Sequence, residues 1–106
     1  MVTRGDIWLT RLDSTVGNEL QKTRPCVVIS PHEMNISVHT VLVAPLTTGN
    51  KPAAFRVSVE FNNKNGRILL DHIRSVDTSR LIKRLGVLDQ QTLIKTLHTL
   101  QDIFAE

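Results

Sequence analysis

A single cysteine, Cys26, in 106 residues leaves no partner for an intrachain disulfide and no C-x-x-C pair for a metal. The four histidines, His32, His39, His72 and His98, fall at no H-x-x-x-H or H-E-x-x-H spacing, which speaks against zinc. The longest strongly apolar run, TVLVAPL at 40–46, is far short of the roughly 20 residues that cross a bilayer. The opening MVTRGDIW lacks the apolar middle of a signal peptide, so a soluble cytoplasmic protein without membrane contact is expected. Also absent are G-x-x-x-x-G-K-[ST], G-x-G-x-x-G and G-x-S-x-G, which removes the usual nucleotide-binding and serine-hydrolase signatures. No acidic cluster could hold two metal ions, and nothing in the chain requires a cofactor. Aromatic residues are few: Trp8 and three phenylalanines, most of which read as core.

What is present fits one domain over residues 1–106, long enough to bury a single core. The net charge is +3, and it is unevenly spread. Between Met34 and Leu88 eight Lys or Arg face only Glu60, Asp71 and Asp77, a surplus of five positive charges, so the two ends together are acidic. A basic middle suits a polyanion or an acidic polypeptide as partner; a solvated surface of mixed sign would look the same on charge alone.

The pattern along the chain is mostly strands followed by one helix. DIWLTRL at 6–12, RPCVVIS at 24–30, TVLVAPL at 40–46 and FRVSVEF at 55–61 have the β-branched content of strands. In the last, Phe55, Val57, Val59 and Phe61 alternate with Arg56, Ser58 and Glu60, which gives one buried and one wet face. NNKNG at 62–66 reads as a turn with Asn-Gly at its bend, and RILLDHIRSV at 67–76 as a further strand. From Asp89, a suitable N-cap, the period changes: Leu93, Ile94, Leu97, Leu100, Ile103 and Phe104 form one helical stripe. His98 falls at its edge, on the surface. Five or six short strands closed by a helix predict an α+β fold, a small, strongly bent sheet or partly open barrel.

The polar groups at strand ends are where chemistry is to be sought, because loops held by a rigid sheet often display functional residues. They are Asn18, Glu19, Gln21, Lys22, Thr23 and Arg24 before the second strand, and Thr47, Thr48 and Gly49 after the third. Asp71 and His72 lie within RILLDHIR. RGD at 4–6 reads as a strand entrance. If strands two and three are antiparallel neighbours, Arg24 lies beside Thr47. A guanidinium fork with a hydroxyl and the N–H groups of Thr-Thr-Gly beside it can grip a phosphodiester. Alone, an Arg-Pro join or a TTG run is more often structural.

RGDIW at 4–8, VGNE at 16–19, TRPCVVIS at 23–30, VLVAPLTT at 41–48 and LLDHIRSVD at 69–77 together resemble, in order and spacing, the MazF/PemK (Kid) family of toxins from bacterial toxin–antitoxin modules. The resemblance implies an SH3-like barrel with a C-terminal helix, a homodimer, and metal-independent cleavage of single-stranded RNA at short sequences. It also implies a cognate antitoxin whose acidic tail occupies the RNA groove. The family's essential arginine and threonine match Arg24 and Thr47. The glutamate of the loop before strand two matches Glu19, and the acidic residue that some members use as a proposed base matches Asp71. The chain departs from the family pattern at Thr23, where some members carry histidine, and at His72, where many carry glutamine.

Cleavage of this kind uses the substrate's 2′-hydroxyl as nucleophile and leaves a 2′,3′-cyclic phosphate and a 5′-hydroxyl. The protein must help deprotonate the nucleophile, stabilise the phosphorane and protonate the leaving oxygen. Arg24 suits the phosphorane clamp, since a guanidinium is a fork of donors and a poor general acid; Thr47 would orient the phosphate, and Glu19 or Asp71 could act as base. Histidine is a residue type suited to proton transfer near neutral pH, which makes His72 a further candidate for that step. Base contacts would fall to Asn18, Gln21 and Thr48, with Lys22, Gly49 and His72 as further RNA-binding positions. Two other functions stay compatible with the chain: an inactive module that binds antitoxin or nucleic acid, and a gyrase-poisoning toxin on the same fold, which would not need the Arg24–Thr47 pair.

Overall fold

The structure, a computed structural model, describes residues 1–12, 23–49 and 52–106. Its strands are β1 (Asp6–Arg11), β2 (Thr23–Val28), β3 (Thr40–Thr47), β4 (Arg56–Phe61), β5 (Lys64–Leu69), β6 (Arg74–Asp77) and β7 (Leu81–Val87). A short helix α1 (His32–Ser37) precedes β3, and α2 (Gln90–Phe104) closes the chain. Among the described residues the seven strands form one curled antiparallel sheet in the order β4-β5-β3-β2-β1-β7, with β6 also pairing β3. With α2 against it, this is the expected α+β architecture.

The central strands are apolar on both faces because both faces are covered. Ile7, Val27, Ile29, Ala44 and Leu46 point into one cluster, which takes Val57, Ile68, Leu70 and Leu88 from the rest of the sheet. Cys26, Val28, Val41, Val43, Val76 and Leu12 fill the other. Helix α2 packs on the first cluster through Leu93, Leu97 and Leu100. Its N-terminus is fixed by Asp89, whose carboxylate accepts the Thr92 N–H at 3.1 Å and the Thr92 hydroxyl at 2.6 Å. The buried stripe is narrower than expected: Thr96 lies at its centre, donating its hydroxyl to the Thr92 carbonyl at 2.7 Å. Ile94, Ile103 and Phe104 are exposed, as is Phe55, so two of the three phenylalanines are not core.

RGDIW is the strand entrance the sequence suggests. Gly5, at φ +94°, donates its N–H to the Val28 carbonyl and accepts from Leu88 N–H, both at 2.8 Å, tying β1, β2 and the approach to α2 together. Asp6 is buried, accepting the Thr3 N–H at 2.9 Å and lying 3.2 Å from the Arg84 guanidinium.

Three expectations are corrected. The hairpin bend between β4 and β5 is Asn62-Asn63, at φ 55° and 62°, with Phe61 opposite Lys64. Asparagine tolerates this left-handed region, which leaves Gly66 inside β5. Residues 67–76 are not one strand: β5 ends at Leu69, a 3₁₀ turn occupies Leu70–His72, and β6 follows. The cause is register. From the Leu46↔Ile68 pair to the Val43↔Arg74 pair, β3 steps back three residues while its partner advances six, and the surplus three form the turn. Finally, β7 at the sheet edge and α1 were not anticipated.

Candidate functional site

Residues Cys26↔Pro45, Val27↔Ala44 and Val28↔Val43 pair β2 with β3. Continued two residues, that register puts Arg24 opposite Thr47. Both line a groove of about 270 Å³, together with Pro25, Thr48, Lys64 and Gly66. Arg24 and Thr47 are half-buried, and Thr48 and Gly49 are exposed at the end of β3. A ligand there meets a guanidinium, two hydroxyls and an ammonium. Among the described residues, none that bears a carboxylate lines this groove.

Gly66 explains how β5 comes close enough to form the groove wall. A Cβ at this position would stand 2.5 Å from the Thr47 carbonyl oxygen, closer than real contacts allow. Only glycine lets the backbone of β5 lie against the residue that carries the hydroxyl.

Behind Arg24 on the same face is Cys26, buried, with its thiol pushed up to about 11 by desolvation. A hydrogen bond with Thr10 and the positive charges of Arg74 and Arg24 oppose that shift without overcoming it. Cys26 is therefore a packed, protonated thiol and no nucleophile. Arg74 itself was not singled out in the sequence. Its pairing with Val43, which faces Val28, puts it on the face that carries Cys26 and Arg24. Arg67, paired with Thr47, is a second cation beside the groove that the sequence did not single out. Only the register of β5 and β6 reveals either.

Asp71 and His72 do not line this groove. The Asp71 carboxylate is held by Arg56 through Nη2 at 2.8 Å and Nε at 3.2 Å, and His72 Nε2 lies 3.6 Å from it. The hydrogen bonds from Arg56, with smaller help from its charge and that of His72, hold the Asp71 carboxyl below the usual range. Asp71 is thus ionised, partnered and a weaker base than a free aspartate. Asn18, Glu19, Gln21 and Lys22 lie outside the described residues. Among the described residues no group of three or more His, Cys, Asp or Glu is placed to hold a metal ion, and no helix is long and apolar enough to cross a membrane.

Curled sheet, closing helix and an open groove lined by cations and hydroxyls define a small α+β protein. Residues 3–104 match the family described as PemK-like, MazF-like toxin of type II toxin–antitoxin system, and the chain belongs to it. It is similar to Endoribonuclease MazF of Staphylococcus epidermidis, with 34% identity over 90% of this chain and 84% of the relative. Among solved structures it is similar to MazF from Deinococcus radiodurans, with TM-score 0.77 and 26% identity over 95% of this chain and 93% of that one. A mycobacterial endoribonuclease in complex with its cognate antitoxin shares the fold, with TM-score 0.78 and 21% identity over 96% and 93% of the two chains.

Proposed function

We propose that this protein is an endoribonuclease toxin that cuts single-stranded RNA without a metal ion. The observation that carries the proposal is that Arg24 and Thr47 line one open groove; membership of the toxin family supports it. In this reading the scissile phosphate enters the groove and Arg24 binds two of its oxygens through its fork of donors. The Thr47 hydroxyl sets the orientation of the phosphate. The substrate's 2′-hydroxyl, in line with the leaving 5′-oxygen, attacks phosphorus; negative charge grows on the equatorial oxygens, where Arg24 is already placed. The proton of the 2′-hydroxyl passes to a base, the P–O5′ bond breaks and the leaving 5′-oxygen takes up a proton, giving a 2′,3′-cyclic phosphate and a 5′-hydroxyl. An A-form duplex resists the in-line geometry, so single strands are the substrate.

Glu19 is the stronger candidate for the base, because Asp71 has both oxygens engaged by Arg56 away from the groove. Translation is blocked as messenger RNA is cut. A cognate antitoxin lays an acidic segment over the basic surface that carries Arg24, Arg67 and Arg74 and excludes RNA. The working form is a cytoplasmic homodimer.

The test is incubation of the purified protein with a long single-stranded RNA in EDTA, followed by mapping of the ends. Discrete cuts bearing 5′-hydroxyls are expected. Intact RNA from a folded protein would contradict the proposal and favour a module that only binds its antitoxin.

A further inference from the structure

The groove at Arg24 continues across Thr48, Val59 and Gly66 into a second cleft of about 480 Å³ on the wet face of the β4–β5 hairpin. Its polar wall is formed by Ser58 and Glu60 from β4 and by Asn65 and Arg67 from β5. Cross-strand pairing brings them together, Ser58 opposite Arg67 and Glu60 opposite Asn65, and opposed residues share a face of the sheet.

Two features of this wall point to a ligand. Arg67 donates Nη1 to the Ser58 hydroxyl at 2.7 Å, which fixes its guanidinium, while its Nε is shut off from solvent with no acceptor among the described residues. A buried N–H without a partner is costly, so this donor is set for an acceptor that the described residues do not supply. The second feature is Glu60, an exposed carboxylate lining the same cleft a cross-strand pair away.

We infer that this cleft reads a nucleobase adjacent to the phosphate held by Arg24 and Thr47, and that the base is guanine; the inference rests on the ribonuclease proposal above. A second phosphate would sit poorly here, because the Glu60 carboxylate repels it. A base edge carrying both donors and acceptors suits the wall. Guanine alone offers two adjacent N–H donors, N1 and N2, for a carboxylate, together with two acceptors, O6 and N7, for arginine and amide donors. Adenine and cytosine each present a single exocyclic amine to Glu60, and uracil a single ring N–H.

The test combines cut-site mapping with binding of uridine-rich oligomers that lack 2′-hydroxyls and carry one guanosine, one inosine or neither. Inosine removes only the N2 amine. The wild-type protein is expected to require guanine at a position flanking the cut and to bind the guanosine oligomer roughly tenfold more tightly than the inosine one. Glu60→Gln is expected to abolish that difference, and Arg67→Lys to relax the base requirement. Glu60 is exposed, so its replacement does not threaten folding. A cut-site consensus without guanine, or an unchanged guanosine-to-inosine ratio in Glu60→Gln, overturns the inference. If the wild-type protein cuts no RNA, the ribonuclease proposal fails, and the oligomer binding ratio still decides on the cleft.

Discussion

Arg56 on β4 is held by the Asp71 carboxylate at 2.8 and 3.2 Å and lies over the Phe55 ring, 5.6 Å from its centroid. Arg24 on β2 shares its groove with two threonines and a lysine and, among the described residues, with no carboxylate. The two side chains are chemically identical, and their neighbours set what each can do. The charge of Arg56 is already answered by Asp71 on the turn that follows β5, so its contribution is to the structure. The guanidinium of Arg24 is half-buried beside hydroxyls and unopposed by any acid among the described residues lining the groove, so an incoming anion completes it.

The sharpest way to break this comparison is to keep the charge of Arg24 and remove its shape. Arg24→Lys retains a cation but loses the paired donors, and cleavage of a single-site RNA is expected to fall by about a hundredfold or more, with the thermal midpoint little changed. A loss below tenfold would mean that the position supplies only charge.

Gly66→Ala comes next. A Cβ 2.5 Å from the Thr47 carbonyl oxygen forces β5 and the end of β3 apart. We expect about 1–3 kcal/mol of lost stability in denaturant unfolding and about tenfold or more slower cleavage, because Thr47 is displaced from the phosphate. Stability loss with unchanged cleavage would show that the close approach serves the fold alone.

On the other side of the comparison, Asp71→Asn is expected to cost under about 1 kcal/mol at neutral pH, since the ion pair is partly exposed and screened. The folded-state carboxyl of Asp71 titrates below its ordinary value. Its contribution is therefore fully present above the unfolded value of about 3.9 and lost as pH falls through the lower folded value. Unfolding midpoints of wild type and Asp71→Asn should converge in acid and separate as pH rises through that window; a constant gap would point to packing instead. The smallest effect is at the hairpin bend. Asn63→Gly removes a side chain at φ 62° and should shift stability by only about half a kcal/mol, without changing the cut sites.

Much of the groove at Arg24 was legible because it depends on one antiparallel pairing. RPCVVIS and TVLVAPL both read as strands, and adjacency alone brings Arg24 to Thr47. Arg67 and Arg74 were not legible as groove neighbours: Arg67 depends on the register of β5 against β3, and Arg74 on the three-residue surplus that follows it, and no local pattern announces either. The same surplus turns Asp71 and His72 out on a 3₁₀ turn, although their sequence reads as continuous strand. Strand β7 was missed because its middle, Ile82, Lys83 and Arg84, is exposed at the sheet edge and shows no alternation. Helix α1 buries no residue and has no side-chain cap, so neither stripe nor N-cap marks it. At the hairpin, Asn-Gly matches the local turn preference, but the bend is Asn62-Asn63 and Gly66 is needed where β5 meets Thr47.

The most direct measurement is the cleavage rate of one single-site RNA in EDTA by the wild-type protein, Arg24→Ala and Arg56→Ala under identical conditions. The account predicts a loss of about a hundredfold or more for Arg24→Ala and less than tenfold for Arg56→Ala, with discrete 5′-hydroxyl ends wherever cutting persists. Equal losses in the two variants, or a larger loss at Arg56, would contradict the assignment of the reaction to the Arg24–Thr47 groove.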